Sequence, residues 1–250
     1  MVERLSAFLG HRQVKRVLAL AGIEVLAVLP ADATVRDLEG LGRAALNVVV
    51  CEPAGRAAAE ALERRFGTPF IVQEFPIGAR AALSFVGHVT SALGIPLDPG
   101  VFAAEPAPVH PAGETPGAGK ELRIAVVGGP TRAVSMARFL GERGLAPVLV
   151  AVDFDAGARE RLGELAIPGL EVLIEPSQEE ILDRLRAREV NLLIGGMFER
   201  PVAAMLGIPF LDMMHGSQRT ACFAGERELS RMIAGIGEAR PWASGDRGDT

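Results

Sequence analysis

Strand and helix signals alternate along this chain, and the alternation predicts an α/β protein built from two parallel-sheet lobes. Short apolar runs of strand length recur between segments with helical spacing. The apolar residues are also mostly aliphatic: 49% of the 250 residues are hydrophobic but only 5% are aromatic, with no Tyr and one Trp. That composition suits helices packed on a parallel sheet better than a sandwich or barrel, whose strands favour Tyr, Thr and Trp. A single stretch breaks the rhythm. Pro96 to Gly119 hold six prolines and four glycines with little periodicity, the composition of a linker. The expected organisation is a first lobe at 1–95, a linker at 96–119, a second lobe at 120–240 and a polar, flexible tail at 241–250.

In the first lobe, Val14, Val17, Leu18 and Ala21 mark a helix. Strands are expected at Glu24–Leu29, Leu46–Val50 and Pro69–Val72, with helices at about 56–66 and 80–93. The leading helix has no expected strand before it, whereas in a βαβ fold such a helix covers the strand it follows. This lobe is therefore expected to lack its first strand, and to be incomplete or completed by another chain. The alternative is a helix that simply caps a small three-stranded sheet.

The second lobe carries strand signals at Arg123–Val127, Pro147–Val152, Leu170–Ile174, Val190–Ile194 and Pro209–Met213. Between them, Met136, Phe139 and Leu140 share a helical face, as do Ile181, Leu182 and Leu185. A last helix shows Leu229, Met232, Ile233 and Ile236 at i, i+3, i+4 and i+7. Five such units imply a Rossmann-like parallel sheet covered on both faces.

Composition excludes several functions. A net charge of −5 and a pI of about 5.5 argue against a nucleic-acid partner. Two cysteines, Cys51 and Cys222, cannot form a disulfide framework or a four-cysteine metal site within one chain. The N-terminus lacks the apolar core of a signal peptide, and the longest uncharged run, Ala81–Leu97, is too short and too polar to span a bilayer. A cytoplasmic protein with reduced thiols and no membrane partner is expected.

Common nucleotide motifs fail. Lys120 is followed by Glu121 where a P-loop needs Ser or Thr. The turn Gly128-Gly129-Pro130 places Pro where a dinucleotide fingerprint needs its second glycine, removing an N–H that could face a pyrophosphate. Asp153 could still hold a ribose, so a metal-free nucleotide-binding protein stays among the alternatives.

Two residues stand where ligands bind in parallel sheets, beyond the carboxyl ends of strands. Cys51 ends the strand Leu46–Val50 and leads into a helix, whose N-terminus favours a thiolate, the metal-binding form. His215 follows the last strand of the second lobe. Alone, each reads as readily as a packed cysteine or a hydrogen-bonding histidine.

Four segments in order resemble the nitrogenase component 1 type family, which includes nitrogenase subunits, their cofactor-assembly scaffold and the dark-operative protochlorophyllide reductases. They are residues 22–52, ending in Asn47-Val-Val-Val-Cys51; residues 62–79, with Pro76-Ile77-Gly78; residues 122–151, opening on Arg123-Ile-Ala-Val-Val-Gly128; and residues 191–216, with Leu206-Gly-Ile-Pro-Phe210 before His215. The resemblance covers nearly the whole chain. It implies an oxidoreductase subunit with an iron–sulfur-based cluster, in some members containing a heterometal, held in the cleft between the lobes. Cys51 and His215 match the cysteine and histidine ligand positions of the catalytic nitrogenase subunit. Gly128 and Gly129, and Arg132 with a one-residue shift, match the turn that offers backbone N–H groups and a cation to the cluster.

The resemblance further implies a nitrogenase-like partner subunit in a hetero-oligomer, and an ATP-dependent iron–sulfur reductase as electron donor. The sequence departs from the family in three ways. The family's first domain, which carries the cysteines of a second cluster, has no counterpart. Phe198 replaces a lysine associated with organic-acid binding, which argues against homocitrate. Ser217 replaces an aromatic residue near the histidine. The alternatives are a non-catalytic scaffold for metallocofactor assembly and a truncated, inactive gene product.

Overall fold

The computed structural model describes residues 3–7, 12–30, 33–105, 121–213 and 220–238. The chain divides into two compact units, Met1–Pro108 with Arg219–Arg227 and Val109–Gln218 with Glu228–Thr250. Both described sheets are wholly parallel, as the alternation predicts.

The first unit runs β1 (Glu3–Ala7), α1 (Arg12–Leu20), β2 (Ile23–Val28), α2 (Val35–Glu39), β3 (Leu46–Val49), α3 (Glu52–Phe66), β4 (Phe70–Val72) and α4 (Ala79–Leu93). Its sheet order is β2-β1-β3-β4. The expectation of a missing first strand is therefore corrected. Glu3–Ala7 pairs with β2 on one side, and Leu5–Ala7 pairs with Leu46–Val48 of β3 on the other. Helix α1 is then an ordinary crossover after a strand, as the connection rule requires. The strand gives no sequence signal because Glu-Arg-Leu-Ser-Ala has no apolar run. Two backbone ladders hold it instead, with a register shift between Leu5 and Ser6.

Helices cover this sheet through helically spaced apolar residues. Val14, Val17 and Leu18 of α1 are buried, as are Ala82, Phe85, Val86 and Val89 of α4. All of Leu46–Val49 is buried.

The proline-rich stretch begins as part of this unit. Asp98 accepts a hydrogen bond from the Gly100 N–H at the start of a short 3₁₀ turn, Pro99–Phe102. Phe102 is buried, and the Glu105 carboxylate pairs with the Arg16 guanidinium through two hydrogen bonds. Residues 106–119 of the expected linker and the tail at 241–250 lie outside the described residues.

The second unit contains β5 (Ile124–Gly128), α5 (Pro130–Glu142), β6 (Leu149–Val152), α6 (Ala158–Glu164), β7 (Glu171–Ile174), α7 (Gln178–Ala187), β8 (Leu192–Gly195), α8 (Arg200–Leu206) and β9 (Phe210–Asp212). Its sheet order is β7-β6-β5-β8-β9. β5, β6 and β8 are buried at every residue, which is why they read as unbroken apolar runs. The core joins Ala125, Val127, Leu149, Ala151 and Leu193 to Ile181 and Leu185 of α7.

Helix α9 (Cys222–Glu238) follows. The grouping into units changes within it, between Arg227 and Glu228. The segment 220–227 therefore groups with the first unit, although sequence order alone assigns it to the second lobe.

Candidate functional site

Each sheet has one topological switch point, where successive crossovers leave in opposite directions. In open parallel sheets, ligands bind there, beyond the carboxyl ends of the strands. In the first sheet the switch point falls between β1 and β3, and in the second between β5 and β8.

Cys51 stands at the first switch point, two residues beyond β3. It is the N-cap of α3, half-buried, and its side chain makes no capping hydrogen bond. The local sequence explains the turn. The Cys51 carbonyl accepts from the N–H groups of Ala54 and Gly55, at 3.1 and 2.8 Å. Pro53 lies in the first turn, where the N–H it lacks has no helical partner to lose. Gly67 closes the helix at φ 71, a left-handed conformation that glycine adopts without penalty.

Gly128 and Gly129 stand at the second switch point. Gly128 ends β5 at φ 156, and a Cβ there would meet the Met213 Cε at 3.1 Å. Gly129 is the N-cap of α5, and among the described residues beyond its chain neighbours no atom lies within 4 Å of where its Cβ would be. Pro130, which spoils the dinucleotide fingerprint, is the first residue of α5, a position proline fits well. The Arg132 Nη1 donates to the Met213 carbonyl at 3.1 Å. This cation thus ties the first turn of α5 to the end of β9. Next to it, the Met213 N–H donates to the Gly195 carbonyl at 2.9 Å, and the Gly196 N–H donates to the Glu199 carboxylate at 2.6 Å. That turn presents Met197 and Phe198 to solvent, with Phe198 71% exposed.

The structure therefore brings Gly128, Gly129 and Arg132 together at one sheet end and places Cys51 at the corresponding end of the other sheet. His215 and Ser217 lie outside the described residues. Among the described residues, no group of three or more His, Cys, Asp or Glu side chains could hold a metal ion. The donor set therefore fits a cluster at one point, the soft thiol of Cys51, and other ligands must complete it.

Sequence reasoning missed two residues at the carboxyl end of the first sheet. Glu226 of α9 is 4% exposed, and its carboxylate accepts from the Ala79 N–H at 2.6 Å. Cys222 is buried at φ 55, and burial, reinforced by the Glu105 carboxylate, pushes its thiol up to about 12. That thiol is a packing group, whereas Cys51 is half-buried. The signal available in sequence was Pro76-Ile77-Gly78, whose partner lies some 145 residues away.

A family model described as nitrogenase component 1 type oxidoreductase matches residues 5–236. The chain is 35% identical over 204 residues to a light-independent protochlorophyllide reductase subunit of Methylobacterium sp. (strain 4-46), covering 79% of this chain and 39% of that relative. It is 31% identical over 202 residues to the corresponding subunit of Rubrivivax gelatinosus (strain NBRC 100245 / IL144), covering 79% and 37%. The chain thus spans under two fifths of the length of these relatives. In fold, it is similar to a structure of nitrogenase Cp1 at pH 6.5, with a TM-score of 0.76 at 18% identity, over 95% of this chain and 60% of that one.

Proposed function

The chain belongs to the nitrogenase component 1 type oxidoreductase family, and from that premise we propose that it serves as a cluster-binding subunit of a cytoplasmic reductase assembly. The observation that carries this reading is the place of Cys51. A half-buried thiol, free of capping duty, stands at the switch point of a parallel sheet and at the N-terminus of a 15-residue helix. Among the described residues, no helix is long and apolar enough to cross a membrane.

In this reading, Cys51 supplies a thiolate to an iron–sulfur-based cluster, and His215 supplies an imidazole. Gly129 keeps an approach open for want of a Cβ. The partial positive charge at the N-terminus of α5 faces the same sheet end and favours an anionic group. Arg132 supplies a cation beside the Gly128-Gly129 turn, and its Nη1 also holds the end of β9 through the Met213 carbonyl. When bound, the cluster supplies electron storage and transfer.

The electrons come from an ATP-dependent iron–sulfur reductase, by way of a nitrogenase-like partner subunit. The substrate class carried over from the 35%-identical relative is protochlorophyllide, a planar tetrapyrrole. Activity belongs to the assembly, since in this reading the electrons reach the chain through that partner subunit.

The test is iron and acid-labile sulfide per chain, on protein purified without oxygen, for wild type and Cys51→Ala. Both are expected in wild type and lost in the variant, with unchanged circular dichroism. Iron retained in a folded Cys51→Ala protein sinks the ligand assignment. Iron and sulfide that pass to an acceptor protein without turnover would identify an assembly scaffold instead.

A further inference from the structure

Residues 220–227 are distant in sequence from the rest of the first unit, yet they are built into it. Thr220, Ala221, Cys222, Phe223 and Glu226 are all buried. Ile77 and Cys222 form a one-residue parallel bridge, and the Cys222 N–H donates to the Pro76 carbonyl at 2.7 Å. Phe223 stacks on Phe102, with ring centroids 5.7 Å apart and planes at 22°.

A further contact is polar. Helix α4 starts after Gly78, which has no side chain to cap it. The cap comes from Glu226 instead, which accepts the Ala79 N–H at 2.6 Å. A buried carboxylate at a helix N-terminus gains from both the hydrogen bond and the helix dipole.

The backbone pairing is a single bridge, in contrast to the ladders inside the sheet. Cys222 is held at φ 55, a conformation that side chains other than glycine rarely adopt. Within the segment itself the packing is close: a Cβ on Gly225 would lie 2.3 Å from the Thr220 carbonyl carbon, so the segment moves as one piece. Segments held by few backbone bonds and a strained residue open before the body they rest on.

We propose that residues 220–227 form a detachable strap at the carboxyl end of the first sheet, latched by the Glu226 carboxylate on the N-terminus of α4. Release of the strap is a local opening, separate from unfolding of the sheet. It uncovers Cys222 at the same end of the sheet as Cys51. The latch stands independently of any cluster, so it survives failure of the ligand assignment for Cys51.

The test uses the full chain carrying Cys51→Ser, which leaves Cys222 as its one thiol. Alkylation of Cys222 by iodoacetamide is followed by mass spectrometry at several low urea concentrations. Glu226→Ala is expected to speed alkylation about tenfold or more, as loss of a charge-assisted hydrogen bond predicts. The faster rate should rise with urea much less steeply than global unfolding does, because the opening exposes only the surface under the strap. Glu226→Gln keeps an acceptor for the Ala79 N–H and should stay close to the parent rate. Ala79→Pro removes the donor at a helix position proline tolerates and should match Glu226→Ala, which keeps the test decisive if that variant misfolds. Alkylation at the parent rate in both Glu226→Ala and Ala79→Pro would overturn the proposal. So would a rate that rises with urea as steeply as global unfolding.

Discussion

At the switch point of the first sheet stands a thiol; at that of the second stand two glycines and the start of a helix. The first sheet has half-exposed residues along β2 and β4, while the second encloses β5, β6 and β8 completely. The first unit borrows residues 220–227 from far along the chain, whereas the sheet of the second is contiguous in sequence. The same parallel plan is thus met by two balances of forces. In the second unit, burial of aliphatic strands dominates. The first leaves more of its strands exposed and takes contacts from segments distant in sequence, including the Glu226 cap and the Arg16–Glu105 pair.

Core truncations offer the largest test of that contrast. Leu193 of β8 is fully buried between β5 and β9, and Leu193→Ala should cost about 2–5 kcal/mol. Ile71 of β4 is half-buried and pairs on one side with β3. Ile71→Ala should cost about half as much or less, because less of its side chain leaves water on folding. Urea denaturation reads both. Equal losses would mean that the edge of the first sheet is as tightly packed as the centre of the second, and the contrast would fail.

Glycine substitutions give a smaller effect with a sharper sign. A Cβ at Gly225 would lie 2.3 Å from the Thr220 carbonyl carbon, so backbone must move, and Gly225→Ala should cost about 1–3 kcal/mol. Gly129 has ordinary backbone angles, with φ −61, and none of the described residues beyond its chain neighbours crowds its would-be Cβ. Gly129→Ala should cost less, about 1 kcal/mol or below, the loss expected from alanine as a poorer N-cap. If both variants melt alike, the strap is not the close-packed element described. If Gly129→Ala keeps its melting temperature but loses iron, the glycine serves ligand access.

The same contrast explains what can be read from sequence. The five strands of the second sheet announce themselves because parallel strands buried on both faces must be apolar throughout, as in Ile124–Val127. Cys51 is legible because a strand, a cysteine and a proline-bearing helix start follow in immediate succession. β1 is not, because backbone pairing on both sides lets Glu-Arg-Leu-Ser-Ala lie at the centre of a sheet. The short helices α2, α6 and α8, of five to seven residues, are too brief to show a repeating face. Glu226 as the cap of α4 is invisible for another reason. Capping is sought a few residues before a helix, and here the cap arrives from 147 residues away. Arg132 reads in sequence as a cation for a ligand, but its place on the Met213 carbonyl requires coordinates to see.

Helix caps give the finest comparison, because the two units cap short helices with different chemistry. In the second unit, the Ser177 hydroxyl accepts from the Glu180 N–H at the start of α7, and a hydroxyl does not titrate in the acid range. In the first unit, α2 starts with a reciprocal box. The Thr34 hydroxyl accepts from the Asp37 N–H, and the Asp37 carboxylate accepts from both the N–H and the hydroxyl of Thr34. These contacts, the Thr34 N–H first and its hydroxyl second, hold the Asp37 carboxyl below the usual carboxylate range. Since the folded value is depressed, the box stabilises α2 fully above the unfolded value, and the contribution is lost as pH falls through the folded one. A carboxyl-carbon NMR titration should therefore place the Asp37 midpoint below that of an ordinary aspartate. Thr34→Ala should return it towards the ordinary value, because the hydroxyl is gone and the cap frays. A Ser177→Ala change should leave that midpoint untouched while weakening α7 by about 1 kcal/mol. An Asp37 midpoint that does not respond to Thr34→Ala would show that the box is not closed in solution, and that the two units cap their short helices alike.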